Sequence, residues 1–251
     1  MKCTRLSLLS RQMVLAVTAA MTNVTAPTLA APAITTPHIG EIVNGWTALE
    51  QVILAHPAPD TYRARFTQHK TSPLLRDPMV SEGVVQMSGG LARWDTQPPH
   101  ATVMLLGNDE LQLYYPDQET LEIYPLSDSQ TADAPPQGLA AMATSPVPDL
   151  PVLREHFELT HWGWIKGNEQ ITLTFIPRDA SMREAIETVG VIVDAKRGVL
   201  HQFTLTDLDG EVTQLTFHDI ELDPDLDAKS LELTVPTNTH IIRPLDAVSA
   251  P

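Results

Sequence analysis

Residues 198–220, GVLHQFTLTDLDGEVTQLTFHDI, read as two strands joined by a tight turn. Val199 to Leu205 and Val212 to Ile220 are rich in β-branched and aromatic residues, and Asp207-Leu208-Asp209-Gly210 between them has the composition of a hairpin connection. A hairpin makes sequence neighbours into sheet neighbours, so this stretch predicts antiparallel pairing.

The same pattern extends upstream. Tyr62, Ala64 and Phe66 alternate with Thr61, Arg63, Arg65 and Thr67, the period of a half-buried strand. Further strands are predicted at Val80 to Met87, Leu91 to Thr96, Ala101 to Leu106, Leu111 to Tyr115 and Thr120 to Tyr124. Their separators are turn formers: Gly89-Gly90, Pro98-Pro99, Gly107-Asn108-Asp109 and Pro116-Asp117. Strands resume at Phe157 to Trp162, Ile171 to Phe175 and Ala185 to Val193, and a last one is expected at Leu231 to Val235, before Pro236. Ahead of all of them, Ile42, Trp46, Leu49 and Ile53 fall at helical spacing, and Pro57 and Pro59 end that pattern. About twelve strands with two or three helices predict a mainly β (α+β) chain, a strongly curved antiparallel sheet covered by helices and not a βαβ winding.

Residues 127–151, SDSQTADAPPQGLAAMATSPVPDLP, break the rhythm with prolines and small residues. They are expected to form a Pro-rich loop with one short helix at Gly138 to Ala143. Its apolar Leu139, Ala140, Ala141 and Met142 leave two readings open, a plain surface loop or a movable flap over a cavity.

The N-terminus has its own logic. Lys2, Arg5 and Arg11 precede an apolar stretch from Met13 to Met21, and small residues follow as far as Ala30. That order predicts a secretory signal peptide over residues 1–30, the alternative being an uncleaved N-terminal anchor. The remainder, 31–251, is read as a single domain. The one cysteine, Cys3, falls in the removed segment, so the mature chain has no disulfide, no thiol nucleophile and no sulfur ligand for a metal. Removing three basic residues leaves 13 basic side chains against 31 acidic ones, a net charge of −18. Such a surface repels phosphate backbones and anionic headgroups, which argues against nucleic acid and bare anionic membranes as partners.

Catalytic patterns are missing from the sequence: there is no Gly-x-Ser-x-Gly, no His-Glu-x-x-His, no Gly-rich phosphate loop and no Gly-x-Gly-x-x-Gly. His156 and His161 are five residues apart, a spacing that puts two strand side chains on opposite faces and argues against a shared metal. The acidic run Glu221 to Asp227 lacks a calcium loop's glycine and glutamate, since Ala228 and Thr234 stand at those places, and is read as a solvated turn. No cofactor and no enzyme activity are expected. What remains is the apolar concave face of the sheet, which either packs shut as a core or stays open as a ligand cavity.

Several segments resemble the outer-membrane lipoprotein carrier family (LolA-like). They are Arg65-Phe66-Thr67-Gln68, Ser81-Glu82-Gly83, Ala92-Arg93-Trp94 with Gln97-Pro98, and Leu111-Gln112-Leu113-Tyr114-Tyr115-Pro116. The C-terminal half adds Gly198-Val199-Leu200-His201-Gln202-Phe203, an Asp-x-x-Gly turn before Val212-Thr213, and Asp227-Ala228-Lys229 leading to Leu233-Thr234-Val235-Pro236. The resemblance implies an unclosed antiparallel half-barrel of eleven or twelve strands with a helical lid. It also implies a hydrophobic cavity for lipoprotein acyl chains and a monomer in the periplasm. Such a carrier takes acylated lipoproteins or other lipids from an inner-membrane transporter and hands them to an outer-membrane receptor. A sensor or interaction protein for envelope lipids on the same scaffold is the alternative. Position matching and strand parity nominate Ala92, Trp94, Met104, Leu106, Leu111 and Leu113 as the lipid-binding wall. One departure stands out: the family's lid-latching basic turn is replaced by Met87-Ser88-Gly89-Gly90-Leu91, and Arg93, next to Trp94, is expected on the opposite face.

Overall fold

The computed structural model describes residues 39–74, 76–107, 110–125 and 143–243. The predicted signal peptide and Leu139 to Met142 lie outside these residues. Twelve strands form one sheet. In chain order they are β1 (Thr61–Thr71), β2 (Met79–Ser88), β3 (Leu91–Thr96), β4 (Thr102–Gly107), β5 (Glu110–Tyr115), β6 (Thr120–Pro125), β7 (Phe157–Ile165), β8 (Gln170–Pro177), β9 (Ile186–Asp194), β10 (Val199–Asp207), β11 (Val212–Leu222) and β12 (His240–Ile242). The sheet order is β12-β6-β5-β4-β3-β2-β1-β11-β10-β9-β8-β7. Two meanders, β1 to β6 and β7 to β11, are therefore joined through the antiparallel β1–β11 pair, and the sheet ends at β12 and β7 without closing.

Local chemistry explains the joints. The β2–β3 connection is Gly89-Gly90, both with positive φ (58° and 81°), the conformation a two-residue hairpin turn needs. In the β10–β11 turn the Asp207 carboxylate accepts from the backbone N–H groups of Asp209 (2.9 Å) and Glu211 (2.8 Å), as the opening hairpin predicts. Curvature enters at bulges: β11 carries one extra residue opposite Arg63–Arg65 of β1, with Asp219 left-handed at φ 48°, and β7 and β10 shift register at Leu159/His161 and Leu200/Gln202.

Helix α1 (Ile39–Leu54) lies against β7. Its buried stripe is Gly45, Ala48, Leu49 and Val52, flanked by half-buried Trp46 and Ile53. The small residues in that stripe set the distance, because a Cβ on Gly45 would stand 2.6 Å from the Trp162 ring and 2.8 Å from Leu159 Cδ2. Trp46 packs on Phe175 at 5.5 Å between ring centroids, and Arg154 sits 5.4 Å over the other part of this contact, the Trp46 ring, while pairing with Glu50 at 3.0 Å.

Two expectations are corrected. The Pro-rich loop does not run to residue 151, because helix α2 (Leu150–His156) begins inside it. Asp149 caps its N-terminus by accepting from Val152 N–H at 3.0 Å, and Pro151 falls in the first turn, where no backbone donor is needed. Leu231 to Val235 is not a strand. The chain passes through a short 3-10 turn at Ala228–Leu231, and the last strand is β12, which pairs parallel to β6. A third helix, α3 (Ala180–Arg183), links β8 to β9.

Candidate functional site

Directly opposed residues of an antiparallel ladder point to the same face, so the strand register fixes what lines the inside of the sheet. One row across β1 to β6 is Tyr62, Met87, Ala92, Leu106, Leu111 and Tyr124. The next is Ala64, Val85, Trp94, Met104, Leu113 and Glu122. All six predicted lipid-binding residues fall in these two rows, three in each, as adjacent pairs: Ala92 beside Leu106, Leu106 beside Leu111, Trp94 beside Met104 and Met104 beside Leu113. None is more than 5% exposed, and all belong to one hydrophobic cluster with the residues under α1. The wall is thus packed shut in this conformation.

Aromatic rings anchor its middle. Trp94 lies 5.3 Å from Phe66 and 6.0 Å from Phe217, tilted against both. Phe66 opposes Gly83, where a Cβ would stand 2.5 Å from the Phe66 ring and 2.2 Å from the Asp95 carbonyl oxygen, so only glycine lets the ring lie flat on β2. Beyond Phe66 the wall turns polar. Gln68, Lys70, Thr96, Thr102 and Thr213 are buried there, and Lys70 forms an ion pair with Glu211. The hydrophobic surface therefore has a defined floor. On its other side, Trp94 Nε1–H donates to the Ala143 carbonyl at 3.3 Å, which brings the segment preceding α2 onto the wall.

Arg93 occupies the outer face, as its parity with Trp94 predicts. It holds the Asp95 carboxylate through Nε and Nη2 and donates from Nη1 to the Glu232 carbonyl. It fastens the C-terminal segment and not a lid. Leu233 and Val235 of that segment cover a second small cluster on the outer face, Tyr114, Leu121 and Ile123. A Cβ added to Gly89 or Gly90, where the family carries its basic latch, would meet nothing within 4 Å beyond the chain neighbours.

Metal chemistry finds no footing among the described residues, where no group of three or more His, Cys, Asp or Glu is placed to bind an ion. The acidic run is occupied with backbone work: Asp223 accepts from Asp60 N–H at 2.7 Å and Asp227 caps the 3-10 turn through Lys229 N–H at 3.0 Å. Besides Ala64 and Val85, the residues that sequence reasoning missed on the wall are Tyr62, Phe66, Met87, Phe217, Tyr124 and Glu122. Parity carried a signal for Tyr62, Phe66 and Met87. No signal reached Phe217, Tyr124 and Glu122, whose facing depends on register.

The sequence pattern of the outer membrane lipoprotein carrier protein LolA matches residues 59–234, from the start of β1 to beyond the C-terminal 3-10 turn. The chain belongs to the LolA family. Similar curated proteins include the outer-membrane lipoprotein carrier protein of Chromohalobacter salexigens, 25% identical over 154 residues, which are 61% of this chain and 66% of that one. The carrier of Azotobacter vinelandii is likewise 25% identical over 154 residues, covering 61% of this chain and 67% of its own. This chain thus spans about two thirds of the length of these relatives. Among solved structures, a LolA superfamily protein from Nitrosomonas europaea aligns with 75% of this chain and 97% of its own at 13% identity and a TM-score of 0.39. The region matching the LolA family contains the whole of both wall rows. No helix among the described residues is long and apolar enough to cross a membrane.

Proposed function

We propose that the mature chain works as a single-domain, monomeric periplasmic carrier. It holds the acyl chains of lipoproteins against Ala92, Trp94, Met104, Leu106, Leu111 and Leu113 and moves them from an inner-membrane transporter to an outer-membrane receptor. The observation that carries this reading is the continuity of the wall: these six side chains form two adjacent apolar rows across three neighbouring strands. Membership of the LolA family supports the same assignment. The physical role of such a wall is shelter, since each methylene removed from water gains roughly 0.8 kcal/mol. The carrier needs no cofactor and performs no covalent chemistry; uptake and release are changes of packing.

The test is native mass spectrometry of the mature protein purified from a periplasmic extract, together with uptake of a fluorescent acyl probe bearing a neutral head. Co-purified acylated species and saturable uptake are expected, and a Trp94→Asp variant should lose both. Absence of bound lipid together with absence of uptake by the unmodified protein overturns the assignment.

A further inference from the structure

The second wall row is apolar for five strands and then ends in a carboxylate. Glu122 on β6 is directly opposite Leu113 on β5, so its side chain shares the face of Leu111, Leu113 and Tyr124. A charge on an apolar face is costly without hydrogen bonds. Here Tyr124 donates its hydroxyl to Glu122 Oε2 at 2.9 Å. The phenol of Tyr115 is pushed up to about 12 by burial first and then by the negative charge of Glu122. The Tyr124 phenol uses one of the roughly four acceptor positions a carboxylate offers. No Lys or Arg among the described residues forms an ion pair with it. Glu122 is half-buried at the end of the apolar row, three strand spacings from Trp94, or about 14 Å.

We infer that Glu122 selects the head of the cargo: with the acyl chain along Trp94, Met104 and Leu113, it accepts from an N–H-bearing head, amide or ammonium, and repels a free carboxylate. This rests on the carrier reading and adds a chemical class to it. The Tyr124 hydroxyl holds the carboxylate in place, so its remaining lone pairs are presented at a reduced ordering cost at binding.

The experiment displaces a neutral-head fluorescent acyl probe with three compounds of one chain length, a primary alkyl amine, a primary fatty amide and a fatty acid. With the unmodified protein the amine and the amide should displace at about tenfold lower concentration than the acid, the scale of one charged hydrogen bond. Glu122→Gln should bring the three together. Glu110→Gln serves as control, because Glu110 alternates with Leu111 and so faces outward, and it should keep the original ratio. Equal displacement by all three heads in the unmodified protein overturns the inference even if the Gln variant fails to fold. So does a preference that survives Glu122→Gln. Failure of the neutral probe to bind at all overturns the carrier reading and this inference with it. Selection failing while that probe binds overturns the inference alone.

Discussion

Leu106 and Leu173 offer a matched pair that separates a ligand wall from an ordinary core. Each is 1% exposed and each is in the main hydrophobic cluster. Leu106 lies on β4 between Ala92 and Leu111, in the proposed acyl wall; Leu173 lies on β8 between Trp162 and Val191, in the half of the sheet that α1 covers. Truncating either to alanine removes three carbons from a fully packed site, and each variant should lose about 2 to 5 kcal/mol of stability. For a chain of this size that is a fall in midpoint of roughly 5 to 15 °C. Acyl binding should distinguish them. Leu106→Ala takes contact area from the bound chain, about 1 to 2 kcal/mol, or roughly five- to thirtyfold in affinity. Leu173→Ala should leave the affinity within about twofold, because its neighbours are β7, β9 and the rings beneath α1. Thermal unfolding gives the first quantity, and titration with a fluorescent neutral-head acyl probe gives the second. Equal affinity losses in the two variants, or a larger one at Leu173, would refute the placement of the wall on β3 to β5.

Arg93→Ala should free the C-terminal segment, since it removes the charged bonds to Asp95 and to the Glu232 carbonyl. Hydrogen exchange at Leu231 to Ile242 should accelerate by roughly tenfold or more while β3 and β4 stay protected; unchanged exchange there would show that the Leu233 and Val235 contacts suffice. Burial first, and the Lys166 charge next, hold the His201 imidazole below its ordinary range, with Asp194 opposing. The unfolded chain therefore binds the proton more readily, so the stability contributed by neutral His201 is present above the ordinary value of about 6.5 and is lost as the pH falls below it toward and through the lower folded value. His201→Asn should accordingly flatten the acid side of the stability profile between about pH 7 and pH 5, and a slope identical to that of the unmodified protein would dismiss His201 as its source.

The hairpin of residues 198–220 and the alternation of 61–67 were readable because a half-buried strand writes its two faces into the sequence. For the same reason Ala92 with Trp94, and Leu111 with Leu113, could be assigned to a common face. The strand Thr120 to Tyr124 shows where this stops. Its pattern suggests that Leu121 and Ile123 face the core and Glu122 faces water. The structure reverses this, because Leu121 and Ile123 are covered on the outer face by Leu233 and Val235, leaving Glu122 and Tyr124 for the inside. When both faces of a strand are buried, only register tells them apart, and register is a property of the pair. Leu231 to Val235 misled for a related reason: an extended segment that lays alternate side chains on a sheet face has the same period as a strand but no ladder. Helix α2 was hidden by Pro151, which breaks a helix interior but is tolerated in a first turn capped by Asp149.

A packed wall can serve a carrier only if its cover leaves more easily than the rest of the core does. The two halves of the sheet differ in this respect. Over β7 and β8 the cover is α1, seated by Gly45 under Trp162 and Leu159, by the Trp46–Phe175 contact and by the Arg154–Glu50 pair. Moving that helix breaks all of these together. Over β3, among the described residues, Trp94 donates a long bond to the Ala143 carbonyl, and farther along the Pro146 carbonyl accepts from Leu200 N–H at 2.8 Å. Release of a single neutral hydrogen bond of this kind costs about 1 kcal/mol, well under the cost of stripping a helix from its apolar seat. On the proposed carrier reading, an acyl chain entering along Trp94 and Met104 would pass Ala143 with α1 left in place.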